Sequence, residues 1–352
     1  MTPCVHFGVC GGCTLQNLSP EAYRARKRDA LGAVLARTGL TDVVVEEPLL
    51  VPERTRRRAV FKVGKEKGQV VAGFHAARSH TIVNMRECLV LTPALLALAG
   101  DLRRALSPLL SEGEKAEIHV TQTDTGLDIA FRSPRKLTSD LTASIGQAFA
   151  ASDIARIAFN GDILLEQRIP QIGFDGIMVG LPPHAFLQST KEGEALLQTR
   201  VSALTEGAKH IADLFAGLGT FSLPLARRAK VHAVEQEPQA LAALADAARK
   251  ATGLKPITTE KRDLFKLPLT PLELNRFDAV VLDPPRAGAE AQVRALAASK
   301  VKRIAYVSCD AGSFARDAAI LVTAGLRAGP VTPIDQFLYS DHIELVAGFA
   351  RT

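Results

Sequence analysis

The chain has 352 residues, of which 47% are hydrophobic and 23% charged, which is typical of a folded protein with two or three domains rather than a disordered one. Its 43 Lys and Arg residues against 37 Asp and Glu give a net charge of +6, which mildly favours a polyanionic partner such as RNA. No apolar run approaches the roughly 20 residues that cross a bilayer, and no secretory signal is visible. We therefore expect a cytoplasmic protein without a membrane partner.

The first thirteen residues contain three of the five cysteines, in a segment rich in glycine. Cys4, Cys10 and Cys13 are separated by five and then two residues, and Cys88 is the remaining cysteine outside the C-terminal half. Thiolates that converge on one metal centre need a tightly turning backbone, which glycine allows. The spacing predicts that these four cysteines hold an iron–sulfur cluster or zinc, and unrelated reduced thiols are the simpler alternative.

A basic helix is predicted next, with Ser19 as its N-cap and Gly39 as its stop. From residue 42 to about residue 180 short β segments predominate, and residues 58–63 and 69–74 form a predicted hairpin around the sequence GKEKG. The basic residues of the helix and at the start of the hairpin either contact an RNA backbone or lie on solvated faces. These residues are Arg24, Arg26, Lys27, Arg28, Arg54, Arg56, Arg57 and Arg58.

From about residue 192 apolar strands alternate with helices, which predicts an α/β fold with a doubly wound, mostly parallel sheet. Ligands of such sheets bind beyond the carboxyl ends of the strands. The first of these strands ends in a glycine-rich turn with Asp213, Gly217 and Gly219, where a ligand can approach bare backbone and a helix N-terminus. The strand ends are therefore the place to look for a binding site.

Acidic residues follow the next three strands. Glu235 ends the second strand, where a carboxylate can bind both ribose hydroxyls, and Asp263 follows the third, placed to bond an adenine edge. Asp283 follows the fourth strand and is held extended, because the residue before a proline avoids the helical region. Ser222 stands where the dinucleotide fingerprint has its third glycine, which favours S-adenosylmethionine over NAD as the nucleoside cofactor.

The fifth strand ends at Cys309 in the sequence YVSCD, beside Asp283, and the last strand contributes His342 and Glu344. A thiol, a carboxylate and a methyl-donor pocket suit methylation of uracil C5, which is a poor nucleophile. Attack of a thiolate on C6 would make C5 enolate-like, and a base must remove the C5 proton after methyl transfer before the thiol is expelled. The residues therefore predict Cys309 as the nucleophile and Glu344 as the base.

The sequences DLFAGLGTFSLPLA, VVLDPPRAG, YVSCD and HIELVA resemble motifs of the RNA uracil-5 (m5U) methyltransferases. The resemblance implies a class I Rossmann-like S-adenosylmethionine methyltransferase domain with Cys309 as nucleophile and Glu344 as proton acceptor. It also implies contacts to S-adenosylmethionine from Gln188, Phe215, Glu235, Asp283 and, as a further adenine contact, Asp263. The cysteine set resembles the [4Fe-4S] site of the family members that act on 23S ribosomal RNA, with the ligands Cys4, Cys10, Cys13 and Cys88.

On this basis the chain divides into three predicted segments. Residues 1–41 are the iron–sulfur cysteine loop and basic helix, residues 42–180 a smaller β-rich central RNA-binding domain that includes Cys88, and residues 181–352 the methyltransferase domain. The chain departs from the family pattern without loss of a catalytic group at three positions, Thr190, Thr220 and Ala311.

Some family members begin with a small RNA-binding β-barrel, the TRAM domain, whereas here the cysteine loop begins at residue 4. We therefore expect one of the shorter enzymes, a monomer that methylates 23S ribosomal RNA. A tRNA uridine-5 methyltransferase is the first competing hypothesis. The second is an amino-methyltransferase that uses the DPP sequence, and the third is a non-catalytic iron–sulfur RNA-binding protein.

Overall fold

The structure, a computed structural model, describes residues 3–134, 138–149 and 152–351. Every helix in these ranges is too short or too polar to span a bilayer. The helices are α1 (Pro20–Arg37), α2 (Pro93–Leu106), α3 (Ser139–Ala148), α4 (Lys191–Leu204), α5 (Ser222–Ala226), α6 (Pro238–Lys250), α7 (Pro271–Leu274), α8 (Glu290–Ala297) and α9 (Ala311–Thr323). The strands are β1 (Leu49–Leu50), β2 (Arg58–Glu66), β3 (Gln69–His75), β4 (Ile82–Asn84), β5 (Lys115–Thr123), β6 (Gly126–Arg132), β7 (Ile154–Phe159), β8 (Asp162–Glu166), β9 (Gln171–Phe174), β10 (Ile177–Gly180), β11 (His210–Leu214), β12 (Lys230–Glu235), β13 (Ile257–Lys261), β14 (Ala279–Leu282), β15 (Arg303–Ser308), β16 (Arg327–Asp335) and β17 (Glu344–Ala350).

An eight-stranded sheet in the order β1-β16-β17-β15-β14-β11-β12-β13 organises the C-terminal half of the chain. Its strands run parallel to their neighbours except β17, which is antiparallel to β15 and β16. Every residue of β14 is buried, because helices pack on both faces of the sheet. The predicted α/β fold is therefore confirmed, and the strand order reverses between β11 and β14, where such sheets bind their ligands.

The N-terminal helix packs on this sheet. The side chain of Ser19 accepts a hydrogen bond from the backbone of Ala22 and caps α1, as predicted. Leu31 and Leu35 of α1 are buried in the same core as Phe314 of α9, and β1 pairs with β16 at the edge of the sheet. The N-terminal segment thus contributes to the C-terminal core, and the boundaries of the three predicted segments stay a prediction.

A second, seven-stranded sheet has the order β4-β3-β2-β5-β6-β7-β8 and its own core. The predicted hairpin of β2 and β3 is confirmed, with a turn formed by Lys67 and Gly68, both at positive φ as a two-residue hairpin turn requires. Helix α2 packs on the face that contains Phe61, and α3, which the sequence pattern did not indicate, packs against α2. Side chains alternate along each strand, so Lys62 and Glu117 lie on the other face.

A buried ion pair joins α1 to the carboxyl end of β16. Lys27 Nζ lies 3.0 Å from Asp335 Oδ1, and the two side chains are 2% and 0% exposed. Tyr23 donates a hydrogen bond to the same carboxylate, and Lys27 also donates to the backbone oxygen of His342. Burial lowers the pKa of Lys27, while the charge of Asp335 raises it. Lys27 is therefore a structural residue rather than part of a solvated or RNA-facing surface.

We expect Lys27→Met to lower the free energy of unfolding by about 3–5 kcal/mol, because Asp335 would remain buried without its countercharge. Arg26→Met is the matched control, since Arg26 pairs with Asp341 at the surface, where such pairs contribute about 1 kcal/mol or less. Urea unfolding of both variants measures the difference. Equal losses of unfolding free energy in the two variants would show that the buried ion pair stabilises the fold no more than the surface pair.

Candidate active site

A cavity of about 1100 Å³ lies at the carboxyl ends of the strands of the eight-stranded sheet. Residues of the N-terminal cysteine segment and of β2 and β3 complete its lining. Ten of the eleven residues that the sequence predicts for the site line this cavity, namely Gln188, Phe215, Glu235, Asp283, Cys309, Glu344, Cys4, Cys10, Cys13 and Cys88. Among the described lining residues the predicted adenine contact, Asp263, is absent.

The turn after β11 is folded back onto the carboxylate of Glu235. Glu235 accepts hydrogen bonds from three backbone N–H groups, among them that of Gly217 at 3.0 Å. Phe215 has a φ of +64°, a strained value for a residue with a side chain, and donates its backbone N–H to Val234. A Cβ at Gly219 would lie 2.4 Å from Leu244, so this position requires glycine. The turn therefore places Phe215 and Glu235 together at the cavity.

Asp263 shapes the neighbouring turn after β13. Its carboxylate accepts hydrogen bonds from the backbone N–H groups of Phe265 and Lys266, and the Phe265 ring packs against Phe215 with 5.4 Å between ring centroids. Arg262, which the sequence pattern did not indicate, lines the cavity, and its buried Nη1 has no hydrogen-bond partner among the described residues. A direct contact of Asp263 with a cofactor stays a prediction.

A chain of buried side-chain amides connects the two predicted carboxyl groups. Gln188 donates to Asp283 at 3.3 Å, and Gln336 donates to both Gln188 Oε1 at 2.6 Å and Glu344 Oε2 at 2.9 Å. The Oε1 atom of Gln336 in turn accepts a hydrogen bond from the backbone of Ser189 at 2.9 Å. The sequence pattern did not indicate Gln336, although it is a polar residue just beyond the carboxyl end of β16.

Both carboxyl groups of this chain have raised pKa values. Burial, together with the charge of Asp283, raises the pKa of Glu344 to about 8. Burial and the charge of Asp213 raise the pKa of Asp283 to about 7. The hydrogen bonds from Gln336 and Gln188 act in the opposite direction, because they stabilise the charged carboxylates. Each group can therefore gain or lose a proton close to neutral pH.

Cys309 follows β15 and is half-buried at the same cavity. Burial, followed by the negative charges of Glu344 and Asp283, raises the pKa of Cys309 to about 11, and Arg286 acts in the opposite direction. The next residue, Asp310, accepts a hydrogen bond from the backbone of Ser313 at 2.8 Å and caps α9. Asp310, for which the sequence suggested no role, thus fixes the backbone that carries the thiol.

Arg286 also contacts His342, the other polar residue that the sequence assigns to the last strand. The guanidinium lies 2.9 Å from Nδ1 of His342, and both residues line the cavity. His342 precedes β17 rather than lying in it, and burial followed by the charges of Arg286 and Lys27 lowers its pKa. The lowered pKa favours a neutral His342 beside Arg286, two residues before the base candidate, Glu344.

The four N-terminal and central cysteines lie within electrostatic range of one another. Burial and then the charges of Cys88, Cys10 and Cys4 raise the pKa of Cys13 to about 12, while a hydrogen bond to Gln16 acts in the opposite direction. All four are partly buried free thiols that line the cavity. However, in the ranges that the structure describes, no group of three or more Cys, His, Asp or Glu residues is arranged to hold a metal ion. The four cysteines thus line one cavity, and their role as ligands of an iron–sulfur cluster stays a prediction.

The arginines at the start of β2 hold the backbone of the loop that carries Gln188. Arg57 is buried, pairs with Glu194 at 2.6 Å and donates to the backbone oxygen of Gln188. Arg58 donates to the backbone of the residue before Gln188, and its guanidinium lies 5.2 Å from the ring centroid of Phe186. Both predicted alternatives, an RNA-facing and a solvated position, are wrong for Arg57, which positions the loop that carries Gln188.

Residues 181–350 match the model of the tRNA (uracil-5-)-methyltransferase family. An uncharacterized RNA methyltransferase of Rhizobium meliloti is 44% identical over 98% of this chain and 84% of its own length. The 23S rRNA (uracil(1939)-C(5))-methyltransferase RlmD of Chromohalobacter salexigens is 35% identical over 97% of this chain and 74% of its own. The crystal structure of the Pyrococcus abyssi tRNA (uracil-54, C5)-methyltransferase has a TM-score of 0.75 at 24% identity and covers 96% of this chain and 86% of that one.

The fold and the strand-end cavity define a class I Rossmann-like methyltransferase. The chain belongs to the RNA uracil-5 methyltransferase family, as the resemblance of its motifs predicts, and it is an RNA methyltransferase.

We expect Gln336→Leu to raise the pKa of Glu344, because the lost hydrogen bond favours the charged carboxylate. A hydrogen bond to a charged group contributes about 1.5–3 kcal/mol, so the shift should be about one to two pH units. If Glu344 acts as a base, the acidic limb of the pH–rate profile for methyl transfer should move to higher pH by that amount. The measurement is the single-turnover rate as a function of pH.

Gln292→Leu is the matched control, because Gln292 is fully buried and bonded to the backbone of Leu269, away from the cavity lining. The control should lose stability without a shift of the pH profile. A folded Gln336→Leu protein with an unchanged acidic limb would show that Gln336 does not act on Glu344.

Proposed function

We propose that the protein methylates C5 of a uridine in RNA, with S-adenosylmethionine as the methyl donor. The observation that carries this proposal is the placement of Cys309, Glu344 and Asp283 in one cavity with the Phe215–Glu235 turn. The related Pyrococcus abyssi enzyme was solved in complex with S-adenosyl-L-homocysteine, which supports the same cofactor here. Gln188, Phe215, Glu235 and Asp283 are its proposed contacts, and Asp263 remains a predicted one.

The proposed reaction uses Cys309 first and Glu344 second. The Cys309 thiolate forms a bond to C6, and C5 then takes the methyl group from the sulfonium, leaving S-adenosylhomocysteine. Glu344 accepts the proton from C5, the C6–sulfur bond breaks, and the thiolate leaves. The pKa of Glu344 lies close to neutral, which suits a group that must accept and then release a proton.

Cys309 must lose its proton before it can attack, although its pKa is raised. The causes of the raised pKa are burial, the charge of Glu344 and the charge of Asp283. Asp283 is a proposed contact of S-adenosylmethionine, and a positive charge held there would offset the charge of this carboxylate and lower the pKa of the thiol. Binding of the methyl donor would thus favour thiolate formation by offsetting one of the three causes of the raised pKa.

We propose 23S ribosomal RNA as the substrate. The support is the 35% identity to the RlmD enzyme over nearly the whole chain, together with the four cysteines that resemble the cluster site of the ribosomal RNA enzymes. A tRNA is the second candidate, because the matching family model and the similar crystal structure are both those of tRNA enzymes.

We also propose that Cys4, Cys10, Cys13 and Cys88 hold a [4Fe-4S] cluster. Four thiols are the ligand set that such clusters use, and all four are partly buried at one cavity. Burial lowers the pKa of Arg56, whereas the charges of Cys88 and Cys13 raise it, so this cation lies near two of the thiols and is available to an anionic cluster. The four ligands would join the N-terminal segment to the loop that carries Cys88.

RNA that contains 5-fluorouridine tests the covalent mechanism. After methyl transfer, C5 of the adduct would carry fluorine in place of the proton that Glu344 removes, so elimination stops and a protein–RNA adduct accumulates. We expect this adduct with the unmodified protein and none with Cys309→Ala, whereas Glu344→Gln should accumulate a methylated adduct on ordinary RNA. Denaturing gel electrophoresis and mass spectrometry measure both adducts.

Cofactor binding provides the control, because Cys309→Ala should bind S-adenosylmethionine like the unmodified protein. Methyl transfer by Cys309→Ala at a normal rate would favour an amino-methyltransferase and contradict covalent catalysis. Parallel reactions with deproteinised 23S ribosomal RNA and with total tRNA, followed by mapping of 5-methyluridine, decide the substrate. RNA binding without transfer to either RNA would favour a non-catalytic protein.

Anaerobically purified protein should be brown and contain about four iron and four sulfide ions per chain. We expect Cys88→Ser to lose this iron, because one thiolate ligand is removed. Cys309→Ser is the matched control and should keep the iron while losing methyl transfer. A colourless protein with one zinc ion per chain would contradict the proposed cluster, as would unchanged iron content in Cys88→Ser.

A further inference from the structure

A second groove, with a volume of about 860 Å³, lies on the open face of the seven-stranded sheet. Among the described residues that line it, Glu117 is the one carboxylate. The remaining charged or titratable lining residues are all basic, namely Lys62, Lys115, Arg132, His75, His80 and His184. None of these residues belongs to the active-site chemistry described above.

The pairing of the strands places the permanent charges side by side. Lys62 of β2, Glu117 of β5 and Arg132 of β6 are direct cross-strand neighbours. Lys115 lies two residues before Glu117 on the same strand, so its side chain points to the same face. Lys62 forms an ion pair with Glu117, whereas neither Lys115 nor Arg132 forms one within the described part of the chain. Three permanent cations, Lys62, Lys115 and Arg132, therefore share one carboxylate, Glu117, among the described residues that line the groove.

The pKa values of the histidines around the groove are lowered in part by the same excess of positive charge. Burial, followed by the charges of Lys62, His80 and Lys115, lowers the pKa of His75. His119, on the same sheet face, has its pKa lowered by burial and then by Arg132. Cations that repel one another in this way gain free energy when a polyanion displaces their counterions.

The groove adjoins the active-site cavity at His184, which lines both. Phe186, two residues further along the chain, is 69% exposed at the cavity, and the guanidinium of Arg58 lies 5.2 Å from its ring centroid. An exposed ring and an arginine are a platform on which an unstacked base can lie. A nucleic acid strand leaving the cavity thus meets first a stacking surface and then the cationic groove.

We propose that the RNA strand on one side of the modified uridine leaves the cavity past His184 and enters this groove. Lys62, Lys115 and Arg132 contact its phosphates there. The inference rests on the proposed function, since it assigns a path to that substrate. The contacts are to the backbone, so they fix the position of the strand and add affinity without reading its sequence.

The double variant Lys115→Gln/Arg132→Gln tests this path with a fluorescent single-stranded oligouridylate, titrated at several salt concentrations in the presence of S-adenosylmethionine. We expect weaker binding and a slope of log K against log salt that is smaller by about 1.4, because each single-strand phosphate contact contributes about 0.7. The matched control is Lys300→Gln/Lys302→Gln, which removes the same charge from two exposed lysines that line neither cavity. The control should keep both the affinity and the slope.

Methyl transfer to deproteinised RNA separates this inference from the proposed function. The groove variant should keep the kcat of the unmodified protein and show a raised KM for RNA. If the groove variant binds the oligouridylate with the affinity and salt slope of the unmodified protein, the proposed RNA path through the groove is wrong, even if methylation proceeds. RNA binding that depends on the groove residues, without any methyl transfer, would instead contradict the proposed function and still support RNA binding in the groove. Absence of RNA binding by the unmodified protein would overturn both.

Discussion

Glu344 is buried and Asp283 partly buried at one cavity, where both lose hydration and the charge of Asp283 raises the pKa of Glu344. Such a pair is tolerated only when other groups compensate for the lost water. Here Gln188 and Gln336 supply the compensation, because their amide groups connect the two carboxylates in one hydrogen-bonded chain. The same chain holds the predicted cofactor contact and the predicted base in a fixed relation, so the geometry of the cavity depends on it.

The N-terminal segment supports this chain from outside the sheet. The backbone oxygen of Tyr339 accepts hydrogen bonds from Thr14 and Leu15, which directly follow the cysteines, and Lys27 pairs with Asp335, the residue before Gln336. The connection between β16 and β17 is therefore held by the N-terminal segment on one side and by the sheet on the other. These contacts connect the N-terminal segment to the residues on either side of Gln336.

Two groups of basic residues have different uses in this protein. The arginines at the start of β2 look like an RNA-binding surface in the sequence, yet Arg57 is paired with Glu194 and bonded to the loop of Gln188. The groove cations Lys62, Lys115 and Arg132 lie on three neighbouring strands, although about 53 and 17 residues separate them along the sequence. Sheet pairing brings them together, so the electrostatic surface follows from topology rather than from runs of charge.

The sequence by itself determined the α/β sheet and most of its site, because the strand-end residues Asp283 and Cys309 stand directly after apolar strands that only a parallel sheet explains. Only the tertiary structure decided what depends on contacts between distant segments. Gln336 bonds to a glutamine 148 residues away, and Asp263, although well placed in the pattern, accepts hydrogen bonds from backbone N–H groups of the turn that follows it. Local periodicity specifies where strands end, whereas the partner of each side chain is fixed by how the segments pack.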